Sequence, residues 1–140
     1  MIAYAESSAV LAWLLGESAA SSVRRLLADA ERVVASTLTP LECARALARG
    51  AATGQLPPSE ARAAARLLDD ASRGWALLEM SGTALERARQ PFPVEPVRTL
   101  DAIHLAAALE FQDALGRLTI LSLDERIRAN AAALGLTAAP

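Results

Sequence analysis

At 140 residues the chain suits one domain of ordinary size with a proper core. A composition of 53% hydrophobic and 21% charged residues excludes a disordered tail, and a net charge of −2 excludes a protein that grips nucleic acid through a broad basic surface. Cys43 is the single cysteine, which excludes an internal disulfide and a cysteine zinc cluster. All of the positive charge is arginine, so no mechanism that needs a lysine is open to it.

No apolar run approaches the roughly 20 residues that span a bilayer. Met1 leads straight into the first apolar stretch without a basic segment, so the expectation is a cytosolic protein with no signal peptide and no membrane association. Ile2-Ala3-Tyr4-Ala5 reads as a buried strand ending at Glu6, after which Ser7 or Ser8 is placed to cap a helix. Val10, Leu11, Leu14 and Leu15 repeat at helical spacing until Gly16, and a second helix carries Val23, Leu26 and Leu27. Val33-Val34-Ala35 is a second, β-branched strand. Thr39-Pro40-Leu41-Glu42 then predicts a helix start with a capping box, running to about Ala52 and stopping at Gly54.

Pro57-Pro58-Ser59-Glu60 opens another helix, and Trp75 to Glu79 reads as a third strand. A short helix over Thr83 to Arg89 leads into a link held extended or turned by Pro91, Pro93 and Pro96. Thr99 reads as the next N-cap, which puts Asp101 in the first turn and His104 on the same face. The apolar run Leu105 to Leu109 that follows belongs in a core. Arg117 to Leu121 is a fourth strand, Ser122-Leu123-Asp124-Glu125 repeats the cap pattern, and a final helix runs through Leu134 to Gly135. Leu136 to Ala138 is a short fifth strand. Strands alternating with helices predict one domain over residues 1–140: three-layer α/β/α, with a mainly parallel central sheet of four or five strands.

Ligands of such sheets bind beyond the carboxyl ends of the strands, where the strand order reverses. Glu6, Glu42, Asp101 and Asp124 all fall at that edge. Each has a bland explanation as a helix-start acid, favoured by the dipole by about 0.3–1 kcal/mol. Together they repel, by roughly 4 kcal/mol per pair at 4 Å and an effective dielectric of 20, so such a cluster needs a cation to offset it. Oxygen-only donors suit Mg²⁺ or Mn²⁺ rather than zinc. His104 lies a turn deeper amid Ile103 and Leu105, where a hydrogen-bonded structural histidine fits better than a general base. Cys43 reads as packing.

The segments Tyr4-Ala5-Glu6-Ser7-Ser8-Ala9, Leu38-Thr39-Pro40-Leu41-Glu42, Leu100-Asp101-Ala102-Ile103-His104-Leu105-Ala106 and Leu121-Ser122-Leu123-Asp124-Glu125-Arg126 resemble those of PIN-domain ribonucleases. The chain looks most like the VapC-type toxins of prokaryotic toxin–antitoxin pairs, and the resemblance covers essentially its whole length. It implies a metal-dependent endoribonuclease, with Glu6, Glu42, Asp101 and Asp124 as catalytic acids. Of these, Glu6, Asp101 and Asp124 are the expected direct ligands of Mg²⁺ or Mn²⁺, and Glu42 a ligand or water-positioner. Ser8 is expected to donate to a ligand carboxylate or a substrate phosphate; Arg98, beside the cluster, reads either as an exposed surface arginine or as a residue that holds a phosphate. Also implied are an RNA substrate, a small antitoxin partner and a homodimer. Glu6 departs from the aspartate usual at its position. The missing lysine counts heavily against a signalling receiver domain, and the absent glycine motif against a P-loop. The remaining alternative is a module of the same fold that binds RNA or a protein without cutting.

Overall fold

The computed structural model describes residues 1–140. Its strands are β1 (Ile2–Ala5), β2 (Arg32–Ser36), β3 (Ala76–Leu78), β4 (Leu118–Leu121) and β5 (Thr137–Ala139). Its helices are α1 (Ser7–Leu14), α2 (Ala20–Asp29), α3 (Leu38–Ala52), α4 (Pro58–Ser72), α5 (Gly82–Ala88), α6 (Thr99–Leu115) and α7 (Glu125–Ala133). All four strand pairings are parallel, in the order β3-β2-β1-β4-β5. The expected three-layer α/β/α architecture is what forms.

The first strand sits at the centre of the sheet because it is apolar on both faces. Tyr4 joins Val34, Ile120, Leu105, Ala108 and Ile127 in the larger core cluster, under α6 and α7. On the opposite face Ala5 meets Val10, Ala35, Cys43 and Leu68, while Ala3 meets Ala9, Val23 and Leu121, under the first four helices. Every residue of α6 from Asp101 to Ala108 is buried, so over these eight residues the helix has no solvent face. The edge strand β3 is shorter than the sequence suggests and largely exposed. No helix is long and apolar enough to cross a membrane.

Helix starts are where the structure departs from the sequence expectation. The third helix begins at Leu38, so Thr39 lies inside it and donates its hydroxyl to the Ala5 carbonyl at 2.8 Å; the Thr39–Glu42 capping box does not form. Glu6, not a serine, is the N-cap of α1. Arg98 rather than Thr99 holds the N-cap position of α6. Asp124 itself caps α7, accepting from the backbone N–H groups of Arg126 and Ile127.

The proline-rich link before α6 is pinned by two side chains. Asn130, buried on α7, accepts from the Val94 N–H at 2.9 Å and donates to the Val94 carbonyl at 2.8 Å. Glu95 accepts from the N–H groups of Phe92 and Val97. These bonds set where the chain enters α6, and therefore where Arg98 and Asp101 stand. Asn130→Ala should destabilise the protein by about 1–3 kcal/mol in urea denaturation, because it strands two Val94 backbone groups. The Val94 amide should also exchange faster with deuterium. Unchanged exchange there would mean that Asn130 does not hold the link and that Glu95 and the prolines suffice.

Candidate active site

The sheet's strand order reverses at β1, with β2 on one side and β4 on the other, so the crevice for a ligand lies at the carboxyl ends of β1 and β4. Glu6 leaves β1 there, and its N–H donates to the Leu121 carbonyl at 3.1 Å, extending the ladder by one bond. Glu6 as a whole is 5% exposed. One carboxylate oxygen accepts from the Ser8 N–H at 3.1 Å; the other accepts the hydroxyls of Ser8 and, at 2.7 Å, Ser122. Those serines continue the stitch, since Ser8 Oγ accepts from the Leu123 N–H at 2.9 Å and Ser122 Oγ from the Asp124 N–H at 3.1 Å. Ser8 therefore donates its hydroxyl to the Glu6 carboxylate.

Asp101 and Asp124 are joined by a guanidinium. Arg98 Nε donates to Asp101 Oδ2 at 2.8 Å, and its Nη2 donates to Asp124 Oδ2 at 3.1 Å. The Asp101 side chain is 9% exposed and that of Arg98 63%, so a buried carboxylate is met by a cation arriving from solvent. Hydrogen bonding and charge from Asp101, with added attraction from Asp124 and Glu42, hold the guanidinium even more firmly charged than usual.

Glu42 belongs to a second arrangement. Its Oε1 accepts from His104 Nε2 at 2.5 Å and from the Ser7 hydroxyl at 2.9 Å, which leaves Oε2 without a protein hydrogen bond. The carboxylate cannot donate, so Nε2 carries a proton, and His104 Nδ1 lies 2.9 Å from the Tyr4 hydroxyl. Tyr4 is buried, and burial followed by the charges of Glu6 and Glu42 pushes its phenol well above the usual range. Burial alone would push the Glu42 carboxyl up; the His104 and Ser7 hydrogen bonds and the charges of His104 and Arg98 outweigh it and hold the carboxyl below its usual value. His104 is the hydrogen-bonded structural histidine that the sequence suggested, with 1% of its side chain exposed.

Cys43, next to Glu42, is inert. Burial, then the charges of Glu42 and Glu6, push its thiol up to about 12, so it is neither nucleophile nor ligand at neutral pH. The structure thus brings all four acids to one edge in two linked groups. One is Glu6, Asp101 and Asp124 with Ser8, Ser122 and Arg98; the other is Glu42 with Ser7, His104 and Tyr4. With the side chains paired in this way, no three of the acids, histidine and cysteine converge as a ready cage for an ion. From the sequence, Ser7 and Ser122 read only as helix-cap residues and Tyr4 only as a strand residue, none of them as part of the site. The two serines had a signal, a small hydroxyl directly after a buried strand; Tyr4 had none, since a strand tyrosine reads as core.

The PIN domain family matches residues 3–133 of the chain. Ribonuclease VapC46 of Mycobacterium tuberculosis is 35% identical over 133 residues, covering 95% of this chain and 92% of that protein. The crystal structure of PAE2754 from Pyrobaculum aerophilum superimposes with a TM-score of 0.62 at 19% identity, over 99% of this chain and 83% of the other, which bears on the fold alone.

Because the folded Glu42 carboxyl is more acidic than the unfolded one, its contribution to stability is present above the unfolded pKa of about 4.3 and lost as pH falls through the folded value. Glu42→Gln, measured in EDTA, should be less stable than the parent by about 1–2 kcal/mol at pH 7. That gap should close between roughly pH 5 and pH 3. A gap constant across a urea series over that range would show that charge on Glu42 contributes nothing to the fold.

Proposed function

The chain belongs to the PIN-domain family, and from that membership we propose that it is an endoribonuclease dependent on Mg²⁺ or Mn²⁺, the toxin of a toxin–antitoxin pair. The observation that carries this reading is the Asp101–Arg98–Asp124 bridge, two carboxylates presented across a single cation at the switch point of the sheet. The similarity to a protein named a ribonuclease of VapC type supports the substrate class.

The donor chemistry fits a hard divalent cation. Three carboxylates, Glu6, Asp101 and Asp124, share one edge, and a guanidinium already occupies the cationic position between two of them. Asp124 uses Oδ1 to cap α7 and turns Oδ2 to the site, while Glu6 Oε1, which accepts only the Ser8 N–H, keeps acceptor capacity that Oε2, already accepting two hydroxyls, does not. These three residues would hold the ion, with Asp101 and Asp124 exchanging Arg98 for it. The ion when bound supplies an activated water and charge neutralisation for attack on a phosphodiester. Glu42, held by His104 and Ser7, offers Oε2 to orient a water. Arg98, once released from the aspartates, holds a phosphate oxygen bidentately. Ser8 and Ser122 keep the Glu6 carboxylate aimed. A small antitoxin protein and a second copy of the chain are the proposed partners, and the cytoplasm the proposed setting.

A second reading has one observation in its favour: both Glu6 oxygens are engaged by the protein's own donors, as suits a module that binds RNA without cutting it. Cleavage separates the two. The purified protein should hydrolyse single-stranded or loop RNA with Mg²⁺ or Mn²⁺, stop in EDTA, and lose at least 100-fold in rate as Asp101→Asn, about the loss of one key electrostatic group. Undiminished cleavage in EDTA would sink the metal-dependent reading, and binding without cleavage under any metal would favour the second.

Arg98→Gln tests the exchange. With its competing cation gone, the Asp101–Asp124 pair should take up Mn²⁺ more tightly, roughly fivefold, read as a lower midpoint in a melting-temperature titration. Cleavage at saturating Mn²⁺ should nevertheless fall, because the phosphate contact is gone too. Weaker Mn²⁺ binding in the variant would mean that Arg98 holds the aspartates ready for the metal instead of competing with it.

A further inference from the structure

A groove of about 380 Å³ runs outward from Ser7 and Glu42, between α1, α3 and the start of α6. Leu41 and Leu100 stand on it with 56% and 44% of their surface exposed, an unusual amount for two leucines beside a cluster of acids. Arg45 and Arg49 line the same groove from α3 and are both exposed. Four residues apart on a helix, they share one face about 6 Å apart along the axis. Neither takes part in any ion pair of the protein, and Glu42, one turn before Arg45, is turned instead to His104.

Arg49 also suits the last turn of α3, where a cation favours the helix dipole, but Arg45 at mid-helix has no such role. Together the two unpartnered guanidiniums leading out of an acidic site are well placed for a polyanion. A phosphodiester brought to Glu6, Asp101 and Asp124 drags its neighbouring phosphates past Glu42, which repels them. A strand can remain there only if cations stand where those phosphates lie. Leu41 and Leu100 add apolar surface at the same place, and a nucleic acid strand alternates anionic phosphates with flat, weakly hydrated bases. An acidic peptide would satisfy the arginines, yet it has no reason to enter from the catalytic end. On the nuclease reading above, we propose that Arg45 and Arg49 form a phosphate track for the RNA strand flanking the scissile bond, with Leu41 and Leu100 as the surface beneath its bases and riboses.

The test compares Arg45→Gln/Arg49→Gln with Arg62→Gln/Arg66→Gln. The second pair is exposed on α4 at the same spacing, makes the same change in charge, and lies outside the groove. Cleavage of a 20-nucleotide single strand and of a tetranucleotide is followed with Mn²⁺, and anisotropy of the labelled 20-mer is followed in EDTA across a salt series. The groove pair should raise KM for the long strand about tenfold with kcat within threefold, and lower the slope of log affinity on log salt by about 1.4, the value for two lost phosphate contacts on a single strand. The tetranucleotide and the α4 pair should change less than twofold.

Equal losses in the two double variants would reduce the effect to general charge and overturn the track. Equal losses on the long and short RNA would also overturn it, placing the arginines at the scissile phosphate itself. Unchanged RNA kinetics with an altered mass in sedimentation would assign the groove to a protein partner or a second copy, again against the proposal. If the unaltered protein cuts no RNA under any metal, the nuclease reading fails separately, and the salt slope alone decides whether the track exists.

Discussion

Repulsion among carboxylates is the constraint that this fold is built to manage. A parallel sheet delivers all its strand ends to one edge, and here that edge receives Glu6, Glu42, Asp101 and Asp124. Left unpaired at low dielectric, each added charge would cost several kcal/mol, comparable to the whole stability of a domain of this size. The protein offsets each one differently: hydroxyls and a backbone N–H for Glu6, an imidazole and a hydroxyl for Glu42, one guanidinium shared between Asp101 and Asp124. Those offsets are also the ties that hold the N-terminus of α1 to the end of β4, and α3 to α6. Electrostatic relief and tertiary cross-linking are the same bonds.

The segment that opens α6 supplies two of the carboxylates' partners, a guanidinium and an imidazole N–H. Arg98, Asp101 and His104 recur every three residues, so they follow one side of the helix from solvent inward. Arg98 sits at the mouth and is mostly exposed; His104 is a turn and a half deeper and closed off by Tyr4. The two partners therefore differ in how easily they let go. An exposed guanidinium exchanges its partners for water or a divalent ion at little cost, whereas freeing Glu42 from a buried imidazole would leave a polar nitrogen unsatisfied. Flexibility is thereby confined to the Asp101–Asp124 side, and Glu42 is held still beside it.

Strand periodicity, the glycine at the end of α3 and the βαβ alternation made the layers legible from the sequence, because burial on both faces leaves an unmistakable apolar run. The four acids were legible for a related reason: a charged residue straight after such a run has nowhere else to be. Helix starts were not. Thr39 looked like a cap, yet its hydroxyl goes to the Ala5 carbonyl inside the protein, a bond between residues far apart in the chain that no local pattern encodes. The capping reading of Glu42 failed with it, since its carboxylate follows His104 and not its own backbone. The same holds for Ser122, Tyr4 and Asn130, whose partners lie on other elements. Local physics wrote the elements, and long-range hydrogen bonds wrote the site.

Glu6 illustrates how such a site resists reading by analogy. Glutamate is not among the preferred N-cap residues, since shorter side chains reach the N2 and N3 amides more readily. Here the longer arm does two things at once. One oxygen stays with the Ser8 N–H as a cap, and the other extends to the Ser122 hydroxyl at the end of the neighbouring strand. An aspartate would draw the carboxylate back by about one C–C bond, roughly 1.5 Å, and could keep the cap only by giving up the 2.7 Å contact across to β4. Ser122 would then lose the acceptor that orients it toward the Asp124 N–H. The extra methylene is therefore matched by a hydroxyl set on the adjoining strand, and Glu6, Ser8 and Ser122 act as one hydrogen-bonded unit.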